Sequence, residues 1–292
     1  MGLVTRRMAL IVLLFATALL TGQDRNSEFF FIQLADTQFG MFSSDQNFQQ
    51  ETANYEFVVA NINRLRPRFV VITGDLINKV GDPAQTAEYL RITSKIDSSI
   101  PVYAAPGNHD VGNEPTPETL AYYRQHFGRD YYSFTQGNLH GIVLNSGLIS
   151  APGKVQAAAD EQEVWLKAEL AKAKASGVRH IVVFQHHSWF LEKADEPTQY
   201  FNIPIEQRRH YLDLLKASGV RYVFAGHYHR NAHGRDGDFE MVTNGPVGQP
   251  LGTDPSGIRI VTVRETGLEH RYYPLGSIPN RYPAPAGGRG AR

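Results

Sequence analysis

Val102-Tyr103-Ala104-Ala105-Pro106-Gly107-Asn108-His109-Asp110 reads as a short strand that stops at a Pro-Gly turn and delivers an amide, an imidazole and a carboxylate to its C-terminal edge. Four other stretches do the same. Phe31-Ile32-Gln33-Leu34-Ala35 runs into Asp36-Thr37-Gln38, and Phe69-Val70-Val71-Ile72-Thr73 runs into Gly74-Asp75. Ile181-Val182-Val183-Phe184-Gln185 runs into His186-His187, and Tyr222-Val223-Phe224-Ala225 into Gly226-His227-Tyr228-His229. Ligands of an open α/β sheet sit outside the carboxyl ends of its strands, so these ends together mark a candidate site.

Working outward, the chain alternates strand and helix signals from residue 28 onward, the pattern of an α/β domain with much parallel pairing. Phe48, Phe57, Val58, Ile62 and Leu65 predict a helix over 47–65 that Pro67 ends, and Thr116-Pro117 predicts a capped helix to about Phe127. Tyr132, Phe134, Leu139, Ile142 and Leu144 alternate across Gly137-Asn138 as a β-hairpin. Helices are expected over Asp160 to Ala175 and Ile205 to Ala217. Beyond His229 only β signals remain, with a turn at Arg235-Asp236-Gly237-Asp238 and strands near Phe239–Thr243, Ile258–Val263 and Leu268–Tyr273.

The 292 residues carry 29 basic and 29 acidic side chains, so no global field favours nucleic acid or an anionic membrane, and any anion is held locally. Cysteine is absent, which removes thiolate nucleophiles, disulfides and thiolate metal sites together. Arg6 and Arg7 ahead of the apolar run Met8 to Leu20 read as an export signal, giving an expected signal peptide at 1–22, a single domain over 23–282 and a Pro/Gly/Arg-rich disordered tail at 283–292. The mature protein is then expected to be periplasmic or secreted, with no membrane span.

Asp36, Asp75, Asn108, His186, His227 and His229 are hard or borderline donors, suited to Mn²⁺, Fe or Zn²⁺ and not to soft copper. A catalytic ion that keeps an open position takes fewer ligands than this. Two ions about 3.5–4 Å apart, sharing a carboxylate, would use the whole set and clamp an in-line displacement of the kind phosphoryl transfer needs. A Gly-Asp pair after a strand is by itself an ordinary turn; the order of all five motifs carries the reading. Trp189, Phe190, Tyr200 and Phe201 read as core or rim packing, with a substrate-pocket wall as the alternative.

Asp36-x-Gln38, Gly74-Asp75, Gly107-Asn108-His109-Asp110, His186-His187 and Gly226-His227-Tyr228-His229, in that order, resemble the calcineurin-like metallophosphoesterase family over about residues 29–230. Ala35–Gly40, Phe184–Phe190, Ala194-Asp195-Glu196 with Tyr200–Pro204, and Ala225–Asn231 are similar to the subgroup called calcineurin-like phosphoesterase domain-containing protein 1, which includes a eukaryotic Ser/Thr protein phosphatase. The resemblance implies a four-layer α/β/β/α sandwich with a dinuclear metal site at the C-terminal ends of the strands. It implies one divalent ion on Asp36, Asp75 and His229, a second on Asp75, Asn108, His186 and His227, and Asp75 as the bridge. His109 would stand beside them as proton donor to the leaving oxygen or hydrogen-bond donor to phosphate, with a metal-bridging hydroxide as nucleophile.

Two departures from the family pattern are visible. Gln38 stands where the family usually has His, and an amide oxygen is a weaker ligand, so the first metal site is expected to be the looser one. The Asp-Arg-Gly of well-known Ser/Thr phosphatases is replaced by Asn78-Lys79-Val80, which removes a carboxylate that would orient His109 and a guanidinium that would fork onto phosphate. Lys79 is read as a point-charge phosphate contact or a solvated loop lysine, and Asp110 and His187 as supports behind the ligands, with simple packing the alternative for His187. The expected function is phosphomonoester hydrolysis on a small molecule or phosphoprotein. A phosphodiesterase acting on cyclic nucleotides or glycerophosphodiesters, and a non-catalytic phosphate-ligand binding module, are the alternatives.

Overall fold

Phe29 and Phe31 face one way and Phe30, Ile32 and Leu34 the other, because successive strand residues point to opposite sides. Both sides of this strand are apolar, so it is buried on both faces. The computed structural model describes residues 28–282; the expected export segment at 1–22 and tail at 283–292 lie outside the described residues. In chain order come β1 (Phe29–Leu34), α1 (Gln49–Leu65), β2 (Val70–Thr73), α2 (Pro83–Thr93), β3 (Val102–Ala105), the short α3 (Asn108–Val111) and α4 (Pro117–His126). The hairpin β4 (Tyr132–Gln136) and β5 (Leu139–Val143), α5 (Gly147–Ser150), α6 (Gln156–Ala175), β6 (His180–Phe184), α7 (Ile205–Ala217) and β7 (Val220–Ala225) follow. Two hairpins close the fold, β8 (Ala232–Asp236) with β9 (Phe239–Thr243) and β10 (Gly257–Val263) with β11 (Leu268–Pro274).

Two mixed sheets result, a five-stranded one in the order β11-β10-β1-β2-β3 and a six-stranded one in the order β4-β5-β6-β7-β9-β8. In the first, β1-β2-β3 run parallel out to the β3 edge and the antiparallel β10-β11 hairpin forms the other side; in the second, β5-β6-β7-β9 are parallel and β4 and β8 are antiparallel edge strands. Phe31, Phe69, Phe184 and Phe224 fill the layer between the sheets, with the Phe31 and Phe69 rings stacked at 4.6 Å and the Phe31 ring edge-on to Phe184 and Phe224 at 5.7 Å. The outer face of the first sheet packs on α1 and α2 through Tyr55, Val58, Ile62, Tyr89 and Ile92. The outer face of the second packs on α6 and α7 through Leu166, Leu170, Leu212 and Leu215. This is the four-layer α/β/β/α sandwich.

Three local expectations are corrected. α6 starts at Gln156, a turn before Asp160, because Ala157, Ala158 and Ala159 extend the helix at little entropic cost. α2 was not foreseen, although Asp82 caps it by accepting from Ala84 and Gln85 and Pro83 occupies its first turn. β8 runs on to Asp236, so the turn expected over 235–238 narrows to Gly237-Asp238. Among the described residues no helix is long and apolar enough to cross a membrane.

Candidate metal centre

The parallel strands of the two sheets point their C-terminal ends at a common edge, and the quoted residues converge there. Asp36 and Gln38 leave β1, Asp75 leaves β2, Asn108 and His109 open α3 after β3, His186 leaves β6, and His227 and His229 leave β7. Asp36, Gln38, Asp75, His227 and His229 all adopt left-handed backbone, with φ of 51°, 37°, 51°, 70° and 53°. Such a conformation costs on the order of 1–3 kcal/mol per residue and persists where surrounding structure imposes it. Each chain reverses sharply as it leaves the sheet, which turns the side chain inward.

Close approach is enforced by glycine. Gly74, at φ +88°, has no room for a Cβ, which would stand 2.5 Å from His186 Nδ1; at Gly107 a Cβ would collide with the carboxylate and backbone nitrogen of Asp75. Gly107→Ala is therefore expected to lower stability by about 1–3 kcal/mol or more through overpacking and to weaken metal retention, as thermal melts and elemental analysis would register.

The imidazoles share one device: a backbone carbonyl accepts from one ring nitrogen and leaves the other without a main-chain partner, able to offer a lone pair when it carries no proton. His186 Nδ1 donates to Thr73 O at 2.8 Å, His229 Nδ1 to Gln249 O at 2.6 Å, His227 Nε2 to Tyr200 O at 3.0 Å and His109 Nδ1 to Asn78 O at 2.6 Å. Such a partner on the far nitrogen is what fixes a ligating imidazole's tautomer and orientation. The carboxylate expected to be missing behind His109 is thus replaced by the Asn78 carbonyl.

On the inward side, His186 Nε2 lies 3.0 Å from Asn108 Oδ1 and 3.2 Å from Asp75 Oδ2, and His229 Nε2 lies 3.5 Å from Asp36 Oδ1. Asp75, His186 and His227 bring ligand atoms within 4.8 Å of one another, as do Asp36, Asp75 and His229, with Asp75 common to both groups. Burial pushes the Asp36 carboxyl up to about 6, against the pull of His229 and His186. Burial also opposes a charge on Asp75 and on His186, but their mutual attraction outweighs it, holding Asp75 well below the carboxylate range and His186 up to about 9. Burial and then the charged His186 push His227 down to about 3. Two buried carboxylates facing imidazole nitrogens out of reach of solvent form a site that divalent cations would charge-balance, displacing any proton held between the ligand atoms.

Gln38 supports the same fit. Its Nε2 donates to Asn78 Oδ1 at 3.0 Å, while its Oε1 is buried and has no partner, a costly condition for an amide oxygen unless a cation takes it up. Asp110 stands behind the ligands: its fully buried carboxylate accepts from the backbone N–H groups of Gly107 at 2.7 Å, Leu76 at 2.9 Å and Ile77 at 3.1 Å, locking the turns after β2 and β3 together. His187 hydrogen-bonds Ser146 Oγ at 2.9 Å and packs its ring 4.4 Å from that of His227. Lys79 is exposed, with its backbone N–H held by Gln85. Trp189 and Phe190 are fully buried in the core, whereas Tyr200 is 59% exposed and its hydroxyl lies 3.4 Å from Asn108 Nδ2. The expected grouping of these aromatics therefore splits.

A third cluster, His233, Glu240 and His270, has a different character. Arg259 donates to His270 Nδ1 at 2.9 Å, which places the proton of a neutral ring on Nε2, aimed at Glu240 Oε1 at 3.0 Å. Arg235 also contacts Glu240 at 3.1 Å. The arrangement is a hydrogen-bonded charge network without a lone pair on His270 to offer.

Strand order, the two-sheet sandwich and this edge define a metallophosphoesterase fold, and the calcineurin-like phosphoesterase family model matches residues 31–231. The chain belongs to that family and is a hydrolase of phosphoric esters built around a dinuclear metal centre. It is 38% identical over 268 residues to the bovine (Bos taurus) serine/threonine-protein phosphatase CPPED1, covering 87% of this chain and 86% of that one. Its fold is shared with a purple acid phosphatase from yellow lupin (Lupinus luteus) seeds, at TM-score 0.65 and 15% identity over 86% of this chain and 52% of that one. A dimetal phosphatase from Danio rerio aligns at TM-score 0.57 and 17% identity, covering 84% and 99%.

Proposed function

We propose that the protein is a phosphomonoesterase acting on phosphoserine or phosphothreonine in proteins, or on small phosphate monoesters, with two divalent ions drawn from Mn, Fe and Zn. The observation that carries the reading is the set of carbonyl-pinned imidazoles whose free nitrogens face Asp36 and Asp75. One ion would be held by Asp36, Gln38, Asp75 and His229, the other by Asp75, Asn108, His186 and His227. Bound divalent ions supply Lewis acidity toward the phosphoryl oxygens and lower the pKa of water toward about 7. Asp75, Asp36 and the three imidazoles orient and charge-balance the site. His109, pinned through Nδ1 and half-buried, keeps Nε2 as its remaining nitrogen, from which its imidazolium form would donate a proton to the leaving oxygen. The bovine relative's name supports the phosphoprotein substrate.

Parallel turnover of p-nitrophenyl phosphate, its bis ester and a phosphothreonine peptide, with Mn²⁺, Fe²⁺, Zn²⁺ and Mg²⁺ in turn, tests this. Monoester and peptide turnover well above that of the bis ester is expected; faster bis ester turnover would make the protein a phosphodiesterase, and binding without turnover a non-catalytic module. Export of a mature chain lacking about the first 22 residues is proposed from Arg6, Arg7 and the run Met8 to Leu20. N-terminal sequencing of the native protein decides it, and an intact Met1 in cytoplasmic protein would refute it.

The Gln38 site is expected to release its ion first on chelation. Gln38→His should tighten it by about tenfold or more, since even changes behind the ligands typically alter metal affinity 10–100-fold. Calorimetric titration of both metal-free forms measures this; indistinguishable isotherms would place Gln38 outside the coordination shell.

A further inference from the structure

Tyr200 reaches the centre with both of its ends. Its carbonyl accepts from His227 Nε2 at 3.0 Å, its ring lies 4.9 Å from the His227 ring, and its hydroxyl lies 3.4 Å from both Asn108 Nδ2 and Asn113 Oδ1. Both hydroxyl contacts are long, at the weak end of hydrogen bonding, so the phenol, which accepts from Asn108 and donates to Asn113, can turn its one proton from Asn113 to a better acceptor without leaving its place.

An exposed tyrosine on a loop is ordinarily loose, but the segment between Ser188 and Ile205 is tied from within. The Glu196 carboxylate accepts from the backbone of Leu191, Glu192 and Lys193 and from Asn202 Nδ2, at 2.8, 2.9, 3.1 and 2.7 Å. Arg208, fully buried, donates from α7 to the carbonyls of Ile203, Ala194 and Glu196. Ile203 N–H closes the base on Ser188 O at 2.8 Å. A loop carrying this many internal bonds around one exposed aromatic holds it where it is wanted, which is the preorganisation a binding group needs.

We propose that Tyr200 is a substrate-binding residue: its phenol donates to a phosphoryl oxygen on the Asn108 side of the centre, and its exposed ring bears on the organic part of the ester. Phe201, 5.2 Å from Tyr200 and 5.6 Å from the His227 ring, and Tyr228, 5.1 Å from Phe201, extend the aromatic surface beside His227. Esters with an aromatic or apolar alcohol are therefore favoured over small polyol esters. This rests on the phosphomonoesterase reading.

The test compares Tyr200→Phe and Tyr200→Leu with wild type in metal content, thermal stability, calorimetric affinity for inorganic phosphate, and kcat/KM on p-nitrophenyl phosphate and glycerol 2-phosphate. Both variants keep the main-chain carbonyl that holds His227, so metal content and stability should not move. Tyr200→Phe should weaken phosphate binding and lower kcat/KM on both esters alike, by about tenfold to a hundredfold, the range of a hydrogen bond to a charged group. Tyr200→Leu should lose further on p-nitrophenyl phosphate, by about threefold or more, the scale of an aromatic contact, and little more on glycerol 2-phosphate. Phosphate affinity and kcat/KM of Tyr200→Phe within twofold of wild type would overturn the proposal, as would metal loss in that variant, which would make Tyr200 a prop for Asn108. If wild type turns over neither ester, the phosphomonoesterase reading fails, while phosphate affinity still reports on the phenol.

Discussion

Asp75→Asn is expected to emerge from purification without either ion and to turn over phosphate esters no faster than background. The side chain is shared by both groups of ligand atoms, so its charge serves two ions at once, and it also faces His186 Nε2 at 3.2 Å and accepts the His109 backbone N–H at 2.8 Å. Asparagine keeps the shape and one oxygen but removes the charge that offsets two dications. Loss of affinity should exceed about a hundredfold, because changes merely behind a ligand already reach that range. Elemental analysis after gel filtration measures it. Two ions retained tightly by the variant would show that Asp75 is not shared.

His109→Asn should separate chemistry from metal binding. His109 Nδ1 is committed to the Asn78 carbonyl, and only its backbone N–H touches Asp75, a contact the variant keeps. Metal content should therefore stay at the wild-type level while kcat falls by roughly 10²–10⁴, the usual contribution of a positioned proton donor. A parallel loss of metal would move His109 into the ligand set.

The strand ends were legible because a buried parallel strand is an apolar run, and its termination by Asp, Asn or His is conspicuous. Asp36, Asp75, Asn108, His186, His227 and His229 converge for that reason. β8 was harder, since Ala232-His233-Gly234-Arg235-Asp236 lies at a sheet edge and carries little apolar alternation. α2 carried a cap and a proline, yet its apolar face rests on Tyr89 and Ile92 amid polar neighbours. Tyr200 could not be told from Trp189 and Phe190 by type, because what separates them is a loop path set by Glu196 and Arg208. The groups that orient the imidazoles were invisible in principle: Thr73, Asn78, Tyr200 and Gln249 act through main-chain oxygen, which every residue has.

That last feature makes the centre unusually tolerant of sequence drift. A side-chain support can be erased by one codon change, but a peptide carbonyl survives any replacement at its position, so Thr73 and Gln249 can vary while their histidines keep their tautomers, whereas Asn78 also holds Gln38 through its side chain. The vulnerability moves to chain length. A one-residue insertion or deletion between Asn244 and Leu251, or between Asp75 and Asp82, would slide a carbonyl out of register with its imidazole, so homologues that retain this chemistry should accept varied residues in these loops and refuse varied loop lengths.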